Sequence, residues 1–329
     1  MRTFNIVDEN GGIYDPAIDW YPMFQSAYAK AVAAKVGEIV FPAEGKYRFV
    51  AGGIRIKDKG ISIRGEFPGC SGGYTFYDDN NDDGVVIDYQ ASVGGIAVYV
   101  APEDSATLPI YGNRVSDLRV RGNGIAAVGI RYGSVANGGG ERLYASGCTS
   151  AAFDTVANNT APVTWNYENY FEQVYLKAMD NGYGLLLAGT WSQSNAGGRA
   201  SAFGTFNRIH VTHKNKAAIY FASCDDMMII GAGCSRIAGG TGETILFGGG
   251  DTTTYRASVG NTVLGITGSA KLIRAYGGTY PARSNFVLCT GVDGQMTVDD
   301  LTSDGQGVWV INQGGQLGIN GFTKLPATV

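Results

Sequence analysis

The chain has 329 residues, of which 16% are charged and 44% hydrophobic, and its net charge is −4 at pH 7. This composition argues against a nucleic-acid-binding protein or one attracted to anionic membranes. The 50 glycines are about twice the usual share without a collagen-like period, so we expect a packed core with many tight turns. No apolar run approaches the ~18 residues of a membrane span, and the start does not resemble a signal peptide, so we expect neither membrane insertion nor a secretory leader.

The cysteines and histidines give no sign of a metal centre. The chain has five scattered cysteines and no C-x-x-C pair: Cys70, Cys148, Cys224, Cys234 and Cys289. The two histidines, His210 and His213, have no carboxylate at metal-ligand spacing. We therefore expect buried free thiols, synthesis in a reducing cytosol, no metal and no other cofactor.

The first predicted element is a helix. From Ala17, apolar residues recur at three- and four-residue spacing: Trp20, Phe24, Ala27, Tyr28, Ala31 and Val32. Asp15 or Asp19 would cap its start, Pro22 is tolerated in its first turn, and Gly37 would end it with a positive φ. Because only short strands follow, we predict that this helix caps the open end of a long β-stack.

Short strands and a polar loop follow the helix. Residues 37–50 (GEIVFPAEGKYRFV) and 54–66 (IRIKDKGISIRGE) alternate apolar with polar side chains and are broken by Gly and Pro. The loop at residues 67–84 contains four aspartates but lacks the ligand spacing of an EF-hand, so we predict a solvated turn. Strands resume at VVIDY and GGIAVYV.

From residue 113 a motif recurs in which Asn or Gly is followed by apolar residues two, five and seven positions later. Its copies begin at Asn113, Asn169, Gly204 and Asn261, although the seventh position of the last copy is Gly268. Their starts lie 56, 35 and 57 residues apart, so the repeat is not strict. The pattern predicts a coil with two or three short strands per turn and insertions of varied length. A sandwich fits less well, because hairpin signals such as Asn-Gly are sparse.

These segments together resemble a known fold family. The predicted helix followed by VFPAEGKYRF and IRIKDKGISIRGE resembles the start of right-handed parallel β-helix proteins of the pectate-lyase superfamily. The motif N-x-[VF]-x-x-[LVI]-x-[VLI] is similar to the coils of bacteriophage tailspikes with that fold. The resemblance implies an all-β right-handed parallel β-helix with an N-terminal capping α-helix. It also implies a homotrimeric virion tail protein, made in the host cytoplasm, that binds and often cleaves bacterial surface polysaccharide.

We divide the chain into four segments on this basis. They are an N-terminal arm (1–14), the capping helix with the first coils (15–66), the body with its loop insertions (67–300) and a β-rich end (301–329). No attachment domain of the size usual in tailspikes precedes the helix. Binding to other virion tail proteins would therefore use the arm, unless the chain is one piece of a larger assembly.

The motif also predicts a binding surface. Positions five and seven face the core, so positions six and eight face outward. Position six holds Arg119, Tyr175, His210 and Thr267, and position eight holds Arg121, Lys177, Thr212 and Ser269. Stacked coils would arrange these side chains as a ladder on which an acidic sugar chain could lie. An ordinary solvated sheet face is the alternative interpretation, and intervening coils would separate the rows.

Long insertions offer a second binding surface. They contain Trp165 and Trp191 among Asn, Ser and Gly residues. Long loops on a rigid scaffold are often functional, and an exposed tryptophan beside amides suits carbohydrate. Contact with a neighbouring subunit is the alternative.

Catalysis would require further groups. A glycosidase needs two carboxylates about 5–5.5 Å or 6.5–9.5 Å apart, and the predicted ones are Glu172, Asp225 and Asp226. The adjacent pair resembles the paired aspartates of polygalacturonase-like β-helices, but the Gly-His-Gly and Arg-x-Lys partners of that family are missing. Consecutive strand residues also point to opposite faces. A lyase would instead need a base, for which the candidates are His210, Lys214 and Arg208.

Three functions therefore remain open. The first is a phage tailspike or tail fibre component that recognises, and as an enzyme would depolymerise, capsule or O-antigen polysaccharide. The second is a non-catalytic structural or adhesive β-helix on a virion or cell surface. The third is a secreted polysaccharide lyase, which the odd cysteine number and the start of the chain disfavour. Whether the protein is an enzyme stays open, with glycoside hydrolysis favoured over elimination.

Overall fold

The strands of this chain pair almost entirely with strands of the preceding and following coils. The computed structural model describes residues 2–42, 45–66, 84–103, 108–156, 166–188, 201–202, 204–248, 258–268, 272–277, 281–292, 296–302, 305–312 and 317–320. All the strand pairs within them are parallel, and they form two long sheets and a narrow third one. The predicted parallel β-helix is confirmed.

Sheet A is the longer sheet. Its strands are, in pairing order, β1 (Arg2–Asn5), β2 (Gly37–Phe41), β5 (Ile61–Gly65), β9 (Arg114–Arg121), β12 (Gly139–Ser146), β14 (Tyr170–Lys177), β17 (Thr205–His213), β19 (Met228–Arg236), β21 (Thr262–Gly268), β23 (Asn285–Val292) and β25 (Val308–Asn312). Beside this path, β3 (Gly45–Phe49) pairs with β6 (Val85–Tyr89), which pairs with β9.

Sheet B forms a second wall of the coil. Its strands are, in pairing order, β4 (Ile54–Ile56), β7 (Ile96–Val100), β10 (Val128–Tyr132), β13 (Ala151–Asp154), β15 (Tyr183–Ala188), β18 (Ile219–Asp225), β20 (Ile245–Phe247), β22 (Leu272–Ala275), β24 (Met296–Asp300) and β26 (Leu317–Asn320). The short β16 (Ser201–Ala202) also pairs with β18. The third sheet consists of β8 (Ile110–Tyr111) and β11 (Val135–Ala136).

The core is a stack of like residues from successive coils. Leu118 pairs in register with Leu143, and the row continues through Val174 and Ile209. All of these side chains are buried, which confirms that the fifth motif position faces inward. Each coil relies on its neighbours for its backbone hydrogen bonds and for this burial, as in other solenoids.

The predicted capping helix is present as α1 (Tyr21–Ala33). Its buried residues include Phe24 and Ala27, and Pro22 lies in its first turn as expected. The prediction that Gly37 ends the helix with a positive φ is wrong, because Lys35 has that conformation (φ 64°) and Gly37 begins β2. A Cβ at Gly37 would lie 2.7 Å from the Phe4 ring, so the glycine permits close packing.

The predicted N-terminal arm contains regular secondary structure. Arg2–Asn5 forms β1 at the edge of sheet A, and a 3-10 helix follows at Val7–Asn10. Glu9 forms an ion pair of 2.7 Å with Lys30 of α1. The described residues 2–14 are therefore attached to the first coil, because β1 extends sheet A and covers the edge of β2.

A repeated corner explains the Asn of the sequence motif. A residue with positive φ precedes six of the sheet A strands at this corner: Gly112, Asn137, Glu168, Asp226, Gly260 and Ser284. Asn113 follows it with a fully buried side chain, which donates hydrogen bonds to the carbonyls of Asp58 (2.7 Å) and Ile61 (2.8 Å). Asn169 and Asn261 make equivalent contacts to neighbouring coils. The motif therefore marks the point where each coil is joined to the one before it.

The irregular repeat intervals have a structural cause. One coil that the motif search did not detect lies within each long interval: β12 after Gly138 and β19 after Met227. Each has a small residue at one inward position, with Ala145 and Ala232 where other coils have Val, Leu or Ile. The expectation that intervening coils separate the rows is therefore confirmed.

Two composition-based expectations apply to the described residues. Cys148, Cys224, Cys234 and Cys289 are buried free thiols, as expected, whereas Cys70 lies outside the described residues. Burial raises the pKa of the Cys234 thiol to about 12, so it remains protonated at neutral pH. Within the described part of the chain, no helix has the length and hydropathy required to cross a membrane.

Candidate functional site

The predicted row of position-six residues forms a continuous ladder on the outer side of sheet A. Arg119 pairs in register with Tyr144, which pairs with Tyr175, which pairs with His210. The Arg119 guanidinium lies 4.5 Å from the centroid of the Tyr144 ring. The rings of Tyr175 and His210 stack with centroids 6.5 Å apart. We call these four residues the aromatic ladder.

The aromatic ladder is open at one end only. Arg119 is 3% exposed and Tyr144 2% exposed, whereas Tyr175 and His210 are half-buried. The Arg119 side chain is therefore covered in this structure, and its contact with substrate stays a prediction. Its guanidinium instead supports the ring of Tyr144 by a cation–π contact.

His210 lies over a glycine that leaves room for its ring. Gly233 follows His210 in the row, and a Cβ there would lie 2.6 Å from Nδ1 of His210. Burial lowers the pKa of His210, so the neutral imidazole predominates at pH 7. The neutral ring has one donor and one acceptor nitrogen, which suits sugar hydroxyls.

A groove lies where the sheet A strands end and the next corner begins. It has a volume of about 530 Å³. Its walls include Arg121, Ser146 and Lys177, which are consecutive in the position-eight row. Exposed Met179 and Ile237 give it an apolar portion. We call this cavity the basic groove.

The basic groove is lined by two cationic side chains, Arg121 and Lys177, and by one acidic side chain, Asp180. Arg121 and Lys177 lie two strands apart, about 10 Å along the coil axis at the usual strand spacing. Asp180 also lines the groove but forms an ion pair with Lys214. Asn123, at the corner, donates a hydrogen bond of 2.8 Å to Asp88. An anionic group in the groove would therefore meet two cationic side chains from different coils.

Glu172 lies nearer the start of β14, before Gln173, whose positive φ (55°) bends the strand. Glu172 forms an ion pair with Arg208 of the next strand, and it accepts a hydrogen bond of 3.2 Å from the Tyr170 hydroxyl. Asn207 pairs with Glu172 in register. Glu172 therefore has a cationic partner on the next strand and a hydroxyl partner on its own strand.

Asp225 and Asp226 lie at a corner and do not approach Glu172. Asp225 ends β18, and Asp226 is the exposed corner residue with φ 52°. The strand after this corner is two strands from β14, a separation of about 10 Å along the axis. Glu172 lies within β14, four residues after the corner residue Glu168, whereas the two aspartates lie at the corner before β19. Glu172 and the aspartates therefore lie at different points of their coils. Their catalytic role stays a prediction.

Other predicted site residues lie outside the described residues or in neighbouring positions. Trp165, Trp191 and Ser269 fall outside the described residues, as do the four aspartates of the early polar loop. Thr267 follows Gly233 in the row and is exposed. Among the described residues, no cluster of three or more His, Cys, Asp or Glu side chains has the arrangement to hold a metal ion.

Sequence reasoning missed several residues of the site. Tyr144 and Ser146 belong to β12, whose motif begins with Gly138 and has Gly140 in place of the first apolar residue. A search that accepted glycine and alanine at the inward positions would have found it. Asn123 and Met179 lie past the ends of their strands, where a strand-based motif carries no information.

Comparison with known proteins identifies the fold. No family model matches the chain, and no curated protein matches it. Among solved structures, ORF18 of Geobacillus virus E2 superposes with a TM-score of 0.63 at 12% identity over 96% of this chain, which spans 61% of that protein. The mannuronan C-5 epimerase AlgE4 A-module of Azotobacter vinelandii gives 0.54 at 12% identity, covering 97% of both chains.

A third similar structure is the C387A mutant of DFA-IIIase from Arthrobacter chlorophenolicus A6 in complex with DFA-III. It has a TM-score of 0.51 at 10% identity, with 97% of this chain and 84% of that chain covered. Together with the parallel sheets, these similarities decide the fold. The chain is a right-handed parallel β-helix.

Proposed function

We propose that this protein recognises an acidic polysaccharide of the bacterial surface, capsule or O-antigen, as a component of a phage tailspike or tail fibre. The observation that carries this proposal is the basic groove, with Arg121 and Lys177 on one outer row. The half-buried rings of Tyr175 and His210 lie on the adjacent position-six row. Cationic groups beside aromatic rings suit carboxylates carried on sugar rings.

The geometry favours a glycan that runs along the coil axis. Arg121 and Lys177 are separated by one intervening strand, about 10 Å, which is comparable to the length of a disaccharide. A polysaccharide with an acidic sugar in each disaccharide unit would present carboxylates at that interval. Ser146 lies between them in the row and is buried, so the two cationic side chains flank a covered hydroxyl.

The similar structures support the proposal by analogy. One belongs to a phage, another is described as an epimerase of mannuronan, and a third is described in complex with DFA-III. At 10–12% identity they share the fold, and a fold hosts several functions. The proposal therefore depends on the residues of this chain's own groove.

The proposal also covers assembly and location. The protein would be a homotrimer in the virion tail, attached through residues 1–14 to other tail proteins and acting at the host cell surface. Because residues 2–14 pair with the first coil, attachment would use that end of the β-helix as a whole.

We do not include cleavage in the proposal. Glycoside hydrolysis needs two carboxylates about 5–5.5 Å or 6.5–9.5 Å apart across one bond, and the corner of Asp225 and Asp226 lies two strands, about 10 Å, from the strand of Glu172. Binding requires only the basic groove and the aromatic ladder.

The direct test is incubation of the protein with purified capsular and O-antigen polysaccharides. Retention of an acidic polysaccharide without new reducing ends or unsaturated products would support recognition alone. New reducing ends would show a hydrolase, and unsaturated products would show a lyase. If the protein retains no acidic polysaccharide, the proposal is wrong.

A further inference from the structure

The basic groove has an aliphatic portion as well as cationic side chains. Met179 and Ile237, which are 38% and 36% exposed, line it together with Arg121 and Lys177. None of the described residues that line the groove is aromatic. An aromatic ring offers a flat face on which a sugar ring can lie, whereas the narrower side chains of Met and Ile fit around a small apolar group. The aliphatic portion therefore indicates a ligand that carries a methyl-sized substituent.

The cationic and the aliphatic side chains recur at the same interval along the coil axis. Arg121 ends β9 and Lys177 ends β14, with β12 between them. Met179 follows β14 and Ile237 follows β19, with β17 between them. Two strand spacings are about 10 Å, which is comparable to the length of a disaccharide. Each disaccharide along the groove would therefore meet one cationic and one aliphatic side chain.

Asn123 contributes a hydrogen-bond acceptor of fixed orientation. Its Nδ2 donates to Oδ1 of Asp88 at 2.8 Å and to the carbonyl of Tyr89 at 2.9 Å. Both partners are acceptors, so the atom between them must be the amide nitrogen, and both of its hydrogens are used. Oδ1 of Asn123 accepts no hydrogen bond from the described residues. Because Asn123 is exposed and lines the groove, this oxygen can accept a hydrogen bond from a ligand.

Met179 lies beside Asn123, although their coils are two strands apart. A Cβ built on Gly124 would be 3.9 Å from Cε of Met179, so the methyl of Met179 lies against the backbone next to Asn123. Gly147 of the intervening coil accepts a hydrogen bond of 2.7 Å from the Gly124 N–H, and it has no side chain to separate the two. An acceptor and an apolar surface therefore meet at one point of the groove.

We infer that the basic groove selects a polysaccharide in which an acidic sugar alternates with an N-acetylated sugar. An acetamido group carries an N–H donor and a methyl group on the same carbonyl carbon, and these match the Asn123 oxygen and the Met179 side chain. An ester-linked acetyl group or a deoxy sugar has the methyl group but no N–H to donate. The carboxylates of alternate sugars would lie at Arg121 and Lys177, as in the proposed function, on which this inference rests.

The test compares three polysaccharides by isothermal titration with the full chain. Hyaluronan alternates glucuronate with N-acetylglucosamine. Its N-formyl derivative, made by removing the acetyl groups and formylating the amines, keeps the carboxylates and the amide N–H and lacks only the methyl group. Alginate consists of uronates alone and has neither the amide nor the methyl group. It therefore reports on carboxylate binding separately from recognition of the acetamido group.

Three variants probe the two contacts. Met179→Ser removes the apolar side chain from the groove. Met228→Ser is the matched control, because Met228 is 39% exposed and lies on β19 away from the groove. Asn123→Gly removes the acceptor, and glycine adopts the corner conformation of Asn123 (φ 55°) without strain. Circular dichroism and thermal unfolding show whether each variant is folded.

We expect the unmodified chain to bind hyaluronan roughly fourfold more tightly than the N-formyl derivative, the value of one buried methyl-sized group. Met179→Ser should abolish this preference, and Met228→Ser should retain it. Asn123→Gly should weaken the binding of hyaluronan roughly fivefold more than that of alginate, because only hyaluronan loses an N–H···O contact.

Three results would overturn the inference. They are equal affinity of the unmodified chain for the acetyl and formyl derivatives, a preference that survives in folded Met179→Ser, and binding of alginate without binding of hyaluronan. If the chain binds none of the three polysaccharides, the proposed function is contradicted instead.

Saturation-transfer NMR gives a readout that needs no variant. With the unmodified chain and hyaluronan, the acetyl methyl protons should receive more saturation from the protein than the sugar ring protons do, because the methyl group lies against Met179. Equal or lower saturation of the methyl protons would contradict the inference, including the case in which a variant does not fold.

Discussion

The corner asparagine gives the sharpest test of how the coils are held together. The Asn261 side chain is fully buried. Its Oδ1 accepts a hydrogen bond of 3.0 Å from the Met227 N–H, and its Nδ2 donates to the Cys224 carbonyl at 3.1 Å and to Oγ of Ser258 at 2.9 Å. Asn285 continues the same contacts in the next coil.

Asn261→Ala would remove these contacts without adding bulk. The Met227 N–H and the Cys224 carbonyl would then be buried without these partners, and each such group costs about 1–3 kcal/mol. We expect a loss of about 3 kcal/mol in the free energy of unfolding, because the surrounding side chains relax only partly into the space that the amide leaves. Because stability in solenoids depends on contacts between adjacent repeats, the C-terminal coils should unfold first in this variant.

Urea unfolding followed by circular dichroism measures this loss. Asn215→Ala is the control, because Asn215 is exposed and its amide contacts only the Asn181 side chain, at 3.3 Å. The control should change the free energy of unfolding by less than about 0.5 kcal/mol. If Asn261→Ala also lost less than about 1 kcal/mol, buried amide contacts would not be what joins the coils.

Three further predictions concern pH, a buried ion pair and the aromatic ladder. Burial lowers the pKa of His213. The contribution of His213 to the free energy of unfolding should therefore be fully present above about pH 6.5 and be lost as the pH falls from there through the folded-state pKa. His213→Gln should flatten that part of a plot of unfolding free energy against pH, and an unchanged slope would contradict this. Asp154→Ala would break the ion pair with Arg131 and should lower the free energy of unfolding in urea by about 3 kcal/mol. This is the low end for a buried pair, because the Arg131 side chain is 23% exposed. An unchanged free energy of unfolding would refute this prediction. Gly233→Ala would place a methyl 2.6 Å from Nδ1 of His210, so the His210 ring resonances should shift and glycan affinity should fall, whereas unchanged resonances would argue against the close contact.

The sequence was most informative where one physical requirement repeats along the chain. Inward residues such as Leu118 and Val174 must be apolar in each coil, and a corner residue such as Asn113 must satisfy backbone groups of its neighbour. These demands recur at fixed offsets, so they predicted a coil of stacked strands and its outer rows, and the family resemblance implied the parallel β-helix. The motif search did not detect coils with small inward residues, such as Ala145 and Ala232. Glycine and alanine are common throughout the chain, so they do not mark an inward position.

The site was less predictable because it depends on contacts between coils of unequal length. Position in the motif placed Arg121 and Lys177 on one row correctly, yet it did not show that Arg119 is covered. The groove also needs Met179, which lies beyond the end of its strand. Loop lengths decide which coils become neighbours, and a motif read along the chain does not contain that information.

The most direct test of the central claim is the affinity of the basic groove for a carboxylate-bearing glycan. Isothermal titration would compare an acidic capsular polysaccharide with its carboxyl-reduced form, using the unmodified chain, Arg121→Ala with Lys177→Ala, and Lys59→Ala as an exposed basic control. We predict that carboxyl reduction and the double substitution each weaken binding roughly 100-fold, as expected for losing two charged hydrogen-bonding contacts, and that Lys59→Ala changes nothing. Equal affinity for both polysaccharides, or undiminished binding by the double variant, would contradict the account.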